Sequence, residues 1–117
     1  MKMNKYDIYV GNLNPPKGRA QAGFRPCVIL QSNAISCHTT TMIVVPLTSN
    51  LRPRCPSEFV VQPSSCNGLS QPSRFLGWQI TTVDRKFLGK KIGSLEPVYY
   101  PLVQEAIDIA MDAEGLF

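Results

Sequence analysis

The sequence predicts a single mainly β domain over residues 1–117, a small barrel of short strands with one helix packed on it. Ten prolines and eight glycines are scattered along the chain, a distribution that divides a fold into many short elements and turns. Several short runs have strand character, whereas only one segment, near the end, has helical periodicity. At 117 residues the chain is long enough to bury a core without metal or disulfide staples.

Six short strands are predicted, and they differ in how their apolar residues are arranged. The first alternates Tyr6, Ile8 and Val10 with Asp7, Tyr9 and Gly11, the pattern of a half-buried strand. The second, PCVILQ, is almost wholly apolar and is expected to be covered on both faces. The third is rich in β-branched residues, with Pro46 near its end, where a proline disturbs a strand least. The predicted strands span residues 6–12, 26–31, 40–47, 58–62, 74–79 and 91–95.

The segments between the strands are rich in polar residues, proline and glycine, which favour turns. The first is a long basic loop at 13–24, and the second is a polar turn or single helical turn at 33–39 that carries His38 on the surface. A proline-bracketed loop at 51–56 and a Ser/Gly/Asn-rich loop at 63–72 follow. The last is a short helical piece at 80–85, in which Asp84 caps the turn.

The last segment, residues 98–113, is the one clear amphipathic helix. Pro101 is expected in its first turn, where a proline costs no intrahelical hydrogen bond. The inward face is predicted to consist of Tyr99, Val103, Ala106 and Ala110, with Leu102, Ile107 and Met111 at its edges and with Glu105, Asp108 and Asp112 facing water.

Charge is distributed unevenly along the chain. Residues 1–95 contain all 12 Lys and Arg but only Asp7, Glu58 and Asp84 as acids, a net charge of +9. Residues 96–117 contain five acids and no base, so their −5 brings the total to the overall +4. A body this basic favours a polyanionic partner such as RNA, DNA or an acidic protein segment. The alternative is a solvated basic surface beside an acidic helix.

The residue inventory excludes several kinds of catalysis. The body has too few carboxylates for two-metal nuclease chemistry, and a single His38 rules out the histidine pair used for metal-free RNA cleavage. Four irregularly spaced cysteines form no CxxC pair, so we expect no zinc site, and Cys27 is predicted to be a buried thiol. No phosphate-binding or nucleophile-elbow motif occurs. We therefore expect neither metal nor cofactor, and an enzyme would depend on arginine, hydroxyls and amides.

Two predicted strand ends carry side chains that can bind a phosphate group. Arg25 precedes the second strand and Thr48 follows the third, with Ser49 and Asn50 next to it. A guanidinium matches phosphate oxygens bidentately, and a hydroxyl can add a further hydrogen bond. RNA carries its own nucleophile, the 2′-hydroxyl, so positioning and charge stabilisation can suffice for its cleavage. The pair Arg25 and Thr48 therefore predicts a site that cradles a phosphodiester.

The ordered segments YDIYVGNLNP, GRAQAGFRPCVIL, MIVVPLTSNL, WQITTVDR and KIGSLEP resemble the MazF/PemK family of toxins from about residue 6 to 111. The resemblance implies an SH3-like small barrel of the MazF/CcdB type, a homodimer, and sequence-specific cleavage of single-stranded RNA that leaves a cyclic phosphate and a 5′-hydroxyl. It also implies a cognate MazE-like antitoxin with an acidic tail. Because the N-terminus lacks an apolar signal core, a cytoplasmic location without a membrane partner is expected.

The family's site residues carry over onto matching positions of this chain. The catalytic arginine before proline falls on Arg25 and the catalytic threonine on Thr48, while residues 17–23 correspond to the mobile loop that closes over RNA. The predicted RNA-binding residues are Lys17, Arg19, Gln21, Ser49, Asn50, Arg52, Gln79 and Thr81, and Arg54 is considered with Arg52.

The chain departs from the family at three positions. Ala20 stands where many members have a glutamate that could accept a proton, so the general base is unassigned. Thr81 replaces a frequent arginine, and Trp78 precedes the glutamine. Trp78 is expected to be buried in the barrel, with base stacking as the alternative.

Two other functions remain open. A catalytically weak or dead RNA-binding module is favoured by Ala20. A gyrase-binding poison of the CcdB type would act through a tryptophan near the end of its last helix, whereas the only tryptophan here is Trp78.

Overall fold

The computed structural model describes residues 2–13, 23–52, 55–112 and 115. It confirms a mainly β fold with a C-terminal helix. The strands are β1 (Asp7–Asn12), β2 (Phe24–Ile29), β3 (Thr41–Thr48), β4 (Glu58–Val61), β5 (Ser73–Leu76), β6 (Thr81–Asp84) and β7 (Leu88–Ser94), and the helices are α1 (Asn33–Ser36) and α2 (Tyr100–Met111). Three short 3-10 turns cover Gly77–Gln79, Arg85–Phe87 and Pro97–Tyr99.

All seven strands belong to one antiparallel sheet. Six of them follow the order β4-β5-β3-β2-β1-β7, and β6 pairs with β3 outside this order. The central strand, β3, pairs with β2 on one side, and on the other it pairs with β6 along its first half and with β5 at its end. Among the described residues the pairing does not close into a full ring, so the barrel is an open one. The ends of β2 and β3 that carry Arg25 and Thr48 lie near the middle of this sheet.

Both faces of the sheet are covered by apolar side chains, as the composition of the second strand predicted. On one face, Ile8, Val28 and Val45 form a row across β1, β2 and β3 and pack with α2 in the larger core cluster. On the other face, the neighbouring row contains Tyr9 and Cys27, which belong to a smaller cluster. Because strand residues alternate between faces, these two rows fix which face every other residue of β1, β2 and β3 occupies.

The C-terminal helix only partly matches its predicted faces. Pro101 lies in the first turn, and Val103 and Ala106 are buried in the larger cluster. Ala110 is exposed, contrary to prediction, because among the described residues the core includes no part of the helix beyond Ile107. The edge residues Leu102 and Met111 are likewise exposed. Within the described chain, no helix has both the length and the apolar character needed to cross a membrane.

The segment after β5 was assigned wrongly from sequence. The predicted strand at 74–79 ends at Leu76 and continues as the 3-10 turn Gly77–Gln79, and the predicted helical piece at 80–85 is strand β6. Tertiary pairing explains the second error, because Thr81–Asp84 adds to the free edge of β3. Asp84 does cap the next turn, since its carboxylate accepts a hydrogen bond from the Lys86 amide at 2.9 Å.

The four cysteines are predicted to differ sharply in reactivity. Cys27 is fully buried, and this burial raises the pKa of its thiol to about 12, whereas Cys37, Cys55 and Cys66 are exposed. Because the thiolate is the reactive form, a thiol-reactive disulfide reagent should label three cysteines of the native protein and the fourth only after unfolding. Raising the pH from 7 to 9 should leave Cys27 of the native protein unlabelled, because burial keeps its thiol protonated. Four equivalents released by native protein would contradict this assignment.

Candidate active site

Arg25 lies near the start of β2, on the face of the sheet that α2 does not cover. It pairs with Gly11 of β1, and its side chain is half-buried. A Cβ atom at Gly11 would lie 2.9 Å from the sulfur of Cys27, so glycine leaves room for the Cys27 thiol between these two strands. The first two strands therefore hold Arg25 on well-packed backbone.

Thr48 is the last residue of β3 and lies opposite Arg74 of β5. The ladder between β2 and β3 ends at the pair Cys27 and Pro46, and Arg25 and Thr48 each lie two residues beyond that pair on their own strand. Because alternate residues of a strand share a face, Arg25, Thr48 and Arg74 lie on one face of three neighbouring strands and form a row there. The row brings together the two predicted catalytic residues, which are 23 positions apart in sequence.

The segment after Thr48 is folded back by side-chain hydrogen bonds. The Thr48 hydroxyl, in a residue only 4% exposed, accepts a hydrogen bond from the Asn50 amide at 3.2 Å. The Asn50 side chain in turn accepts one from the Arg52 amide at 3.1 Å. Such side-chain turns fix the start of a loop. Ser49, Asn50 and Arg52 are exposed at this end of the sheet, where the sequence placed RNA contacts.

A buried carboxylate, to which no sequence pattern assigned a role, adjoins the row of Arg25, Thr48 and Arg74. Glu58, whose side chain is 4% exposed, forms an ion pair of 3.4 Å with Arg74. Its other oxygen accepts hydrogen bonds from the Trp78 indole N–H and the Cys55 thiol. Arg74 also donates to the Arg52 carbonyl at 3.3 Å, which ties the ion pair to the turn after Thr48. The sequence signal for this ion pair was a lone arginine, Arg74, in the otherwise small or apolar segment SRFL.

The remaining predicted contacts are distributed unevenly. Gln79 ends the 3-10 turn after β5 and is buried, whereas Thr81 begins β6 opposite Val44 and is exposed. Trp78 is 48% exposed, so the expectation that it is buried in the barrel was wrong. Four further positions lie outside the described residues, namely Lys17, Arg19, Gln21 and Arg54.

The other carboxylates of the body are engaged away from this row. Asp7 accepts hydrogen bonds from Ser94 and the Asn4 amide and pairs with Lys91 at 3.4 Å, and Asp84 caps its turn. No group of three or more His, Cys, Asp or Glu side chains in the described ranges is arranged to hold a metal ion. The guanidinium and the hydroxyl of the row can bind an anion and stabilise charge that develops on it.

Comparison with known proteins identifies the family to which the chain belongs. A family model described as PemK-like, MazF-like toxin of type II toxin-antitoxin system matches residues 4–111. Endoribonuclease MazF of Staphylococcus saprophyticus is 31% identical over 110 residues, which cover 93% of this chain and 91% of that protein. Endoribonuclease EndoA of Bacillus subtilis is 28% identical over 111 residues, with 95% and 96% covered.

A solved structure shares the fold over nearly the whole chain. The Mycobacterium tuberculosis toxin MazF-mt6 superposes with a TM-score of 0.75 at 30% identity, covering 91% of this chain and 96% of that one. The match of the family model over most of the chain confirms the resemblance predicted from sequence. The chain thus belongs to the PemK-like, MazF-like toxins of type II toxin–antitoxin systems.

Proposed function

We propose that this protein is a metal-independent endoribonuclease toxin that cleaves single-stranded RNA at a specific sequence. The observation that carries the proposal is that Arg25 and Thr48 lie two residues beyond the paired Cys27 and Pro46, on one face of neighbouring strands. Membership of a toxin family whose relatives are named endoribonucleases supports the same activity. The catalytic roles of these two residues are part of the proposal.

In the proposed reaction, the 2′-oxygen of one ribose attacks the adjacent phosphorus, and the bond from phosphorus to the 5′-oxygen breaks. The products are a 2′,3′-cyclic phosphate and a 5′-hydroxyl. The 2′-hydroxyl loses its proton and the leaving 5′-oxygen gains one, so no external water is consumed. Arg25 binds the non-bridging oxygens and stabilises the negative charge of the phosphorane, while Thr48 donates a hydrogen bond to the same centre.

The partners follow from the family and the charge. The net charge of +9 over residues 1–95 attracts RNA, and it equally attracts the acidic tail of a cognate MazE-like antitoxin, which we propose blocks the same surface. We propose a homodimer as the functional unit and the cytoplasm, where mRNA is available, as its location.

A second candidate is an RNA-binding module with weak or no cleavage. Ala20 favours it, because the family resemblance implies at this position a glutamate that could accept a proton. Such a module should bind RNA as tightly as an endoribonuclease would, but it should yield no cut products.

Cleavage of a long RNA in the presence of EDTA tests the proposal. Wild-type protein is expected to cut at one recurrent short motif, and mass analysis of the fragments should show cyclic phosphate and 5′-hydroxyl ends. Adding Mg²⁺ should not be required, since the 2′-hydroxyl is the nucleophile. Replacing the 2′-hydroxyl at the mapped site by a 2′-O-methyl group should abolish the cut. Binding without any cut would favour the module, and cleavage that EDTA abolishes would overturn the proposed mechanism.

A further inference from the structure

The single tryptophan of the chain lies beside the candidate site with much of its surface open to solvent. Trp78 is 48% exposed, although tryptophan contributes a large apolar area when it is covered. It belongs to the 3-10 turn Gly77–Gln79, which directly follows β5 and also contacts β3. The proposed catalytic roles of Arg25 and Thr48 do not account for this exposed indole near them.

The indole is held in place by a buried ion pair. Its N–H donates to one oxygen of Glu58, whose other oxygen binds Arg74, and Arg74 lies opposite Thr48 in the sheet. The ring is therefore connected to the candidate catalytic residue through two side chains with almost no exposure. This arrangement fixes the indole before any ligand binds, which lowers the entropy lost on binding.

The backbone beneath Trp78 is equally constrained. The Gly77 amide donates to the Ser57 carbonyl at 3.0 Å. A Cβ atom at Gly77 would lie 2.5 Å from that carbonyl and 3.1 Å from the Ala106 methyl of α2. The turn thus packs closely against Ser57, the residue before β4, and against the C-terminal helix.

The local charge is compatible with RNA at this position. The Glu58 carboxylate, the one acid in contact with the indole among the described residues, is paired with Arg74, so it offers little repulsion to a phosphodiester chain. A rigid aromatic face beside cationic backbone contacts is the arrangement by which proteins bind single-stranded nucleic acid.

We propose that Trp78 is a stacking platform for a nucleobase that flanks the scissile phosphate of a single-stranded RNA. The inference rests on the proposed function and adds to it a binding subsite specific to this chain. Because every base has a π-face, stacking here contributes affinity at one nucleotide position and does not by itself select the base.

Intrinsic fluorescence tests the platform directly, because Trp78 is the only tryptophan. The probe is an oligonucleotide that spans the cut site mapped with wild-type protein and carries a 2′-O-methyl group at the attacked ribose. We expect the oligonucleotide to quench the emission in a saturable way. Trp78→Ala should weaken binding roughly 5- to 150-fold, and Trp78→Phe should recover part of the loss. Ile35→Ala, which truncates an exposed apolar residue at the opposite end of the β2–β3 hairpin, should bind like wild type.

A series of oligonucleotides with one abasic position each locates the stacked base. At one position, removal of the base should weaken wild-type binding while leaving binding by Trp78→Ala unchanged, since the lost contact is the same. If the loss of affinity caused by the abasic site adds to that caused by Trp78→Ala at every position, the stacking platform is refuted even when cleavage is intact. Unquenched tryptophan emission at saturating oligonucleotide would refute it as well. Loss of dimer mass in Trp78→Ala with unchanged RNA affinity would assign the ring to a protein interface instead. Wild-type protein that neither binds nor cuts RNA would refute the proposed function itself.

Discussion

Arg25→Ala is expected to reduce the rate of RNA cleavage by at least about 100-fold, the magnitude seen when a charge-stabilising group is removed from an active site. The reason is that Arg25 supplies the guanidinium of the proposed site, on the face of β2 and β3 that also carries Thr48. Single-turnover cleavage of the mapped oligonucleotide measures the effect. Because the side chain is half-buried near the start of a strand, the variant should retain the fold.

Three companion variants separate catalysis from general charge. Arg25→Lys keeps the charge but loses the bidentate geometry, so it should recover only part of the rate. Thr48→Val removes the hydroxyl at similar volume and should also slow the chemical step. Lys5→Ala removes one positive charge just before β1, at the end of that strand opposite the one where Gly11 pairs with Arg25, and should cleave nearly as wild type. Equal rates for Arg25→Ala and Lys5→Ala would refute the assigned role of Arg25.

Glu58→Ala is expected to lower the free energy of unfolding by about 3–5 kcal/mol, because it leaves the Arg74 guanidinium buried without its counter-charge. The two side chains are only 4% and 9% exposed, so water cannot replace the lost partner without opening the structure. The variant also removes the acceptor of the Trp78 indole. Urea denaturation, followed by circular dichroism, measures the change through the transition midpoint.

The matched control replaces both partners at once. In Glu58→Leu/Arg74→Leu no buried charge is left unpaired, and apolar replacement of a whole buried pair is often close to neutral. The double variant should therefore be more stable than Glu58→Ala despite carrying one more substitution. If the double variant were instead less stable than the single one, the ion pair would have to contribute net stability.

The segment from β5 to β6 shows how far local sequence patterns predict the structure of this molecule. Alternation and β-branched content located β1 and β3 closely because each of these strands buries one or both faces along its own length. The same reasoning failed at 80–85, where strand formation depends on the free edge of β3, which is distant in sequence. It also misjudged Ala110, because helical periodicity indicates a face but not where the supporting core ends.

The candidate site shows the same division. Arg25 and Thr48 were predicted because each stands at a boundary between an apolar run and a polar one, and their roles stay predictions. The Glu58–Arg74 pair and the exposure of Trp78 were not predicted. Both depend on the register between β4 and β5, in which Arg74 faces Val60 and Glu58 reaches it diagonally.

By itself the sequence determined the β-rich class, the single C-terminal helix, the basic body and the family, because composition, periodicity and ordered motifs are properties of local stretches of chain. Only the tertiary structure decided which side chains share a face. A shift of one residue in strand register would move Thr48 to the opposite side of the sheet, and register is set by packing between distant segments. The row that unites Arg25, Thr48 and Arg74 is a consequence of that long-range packing.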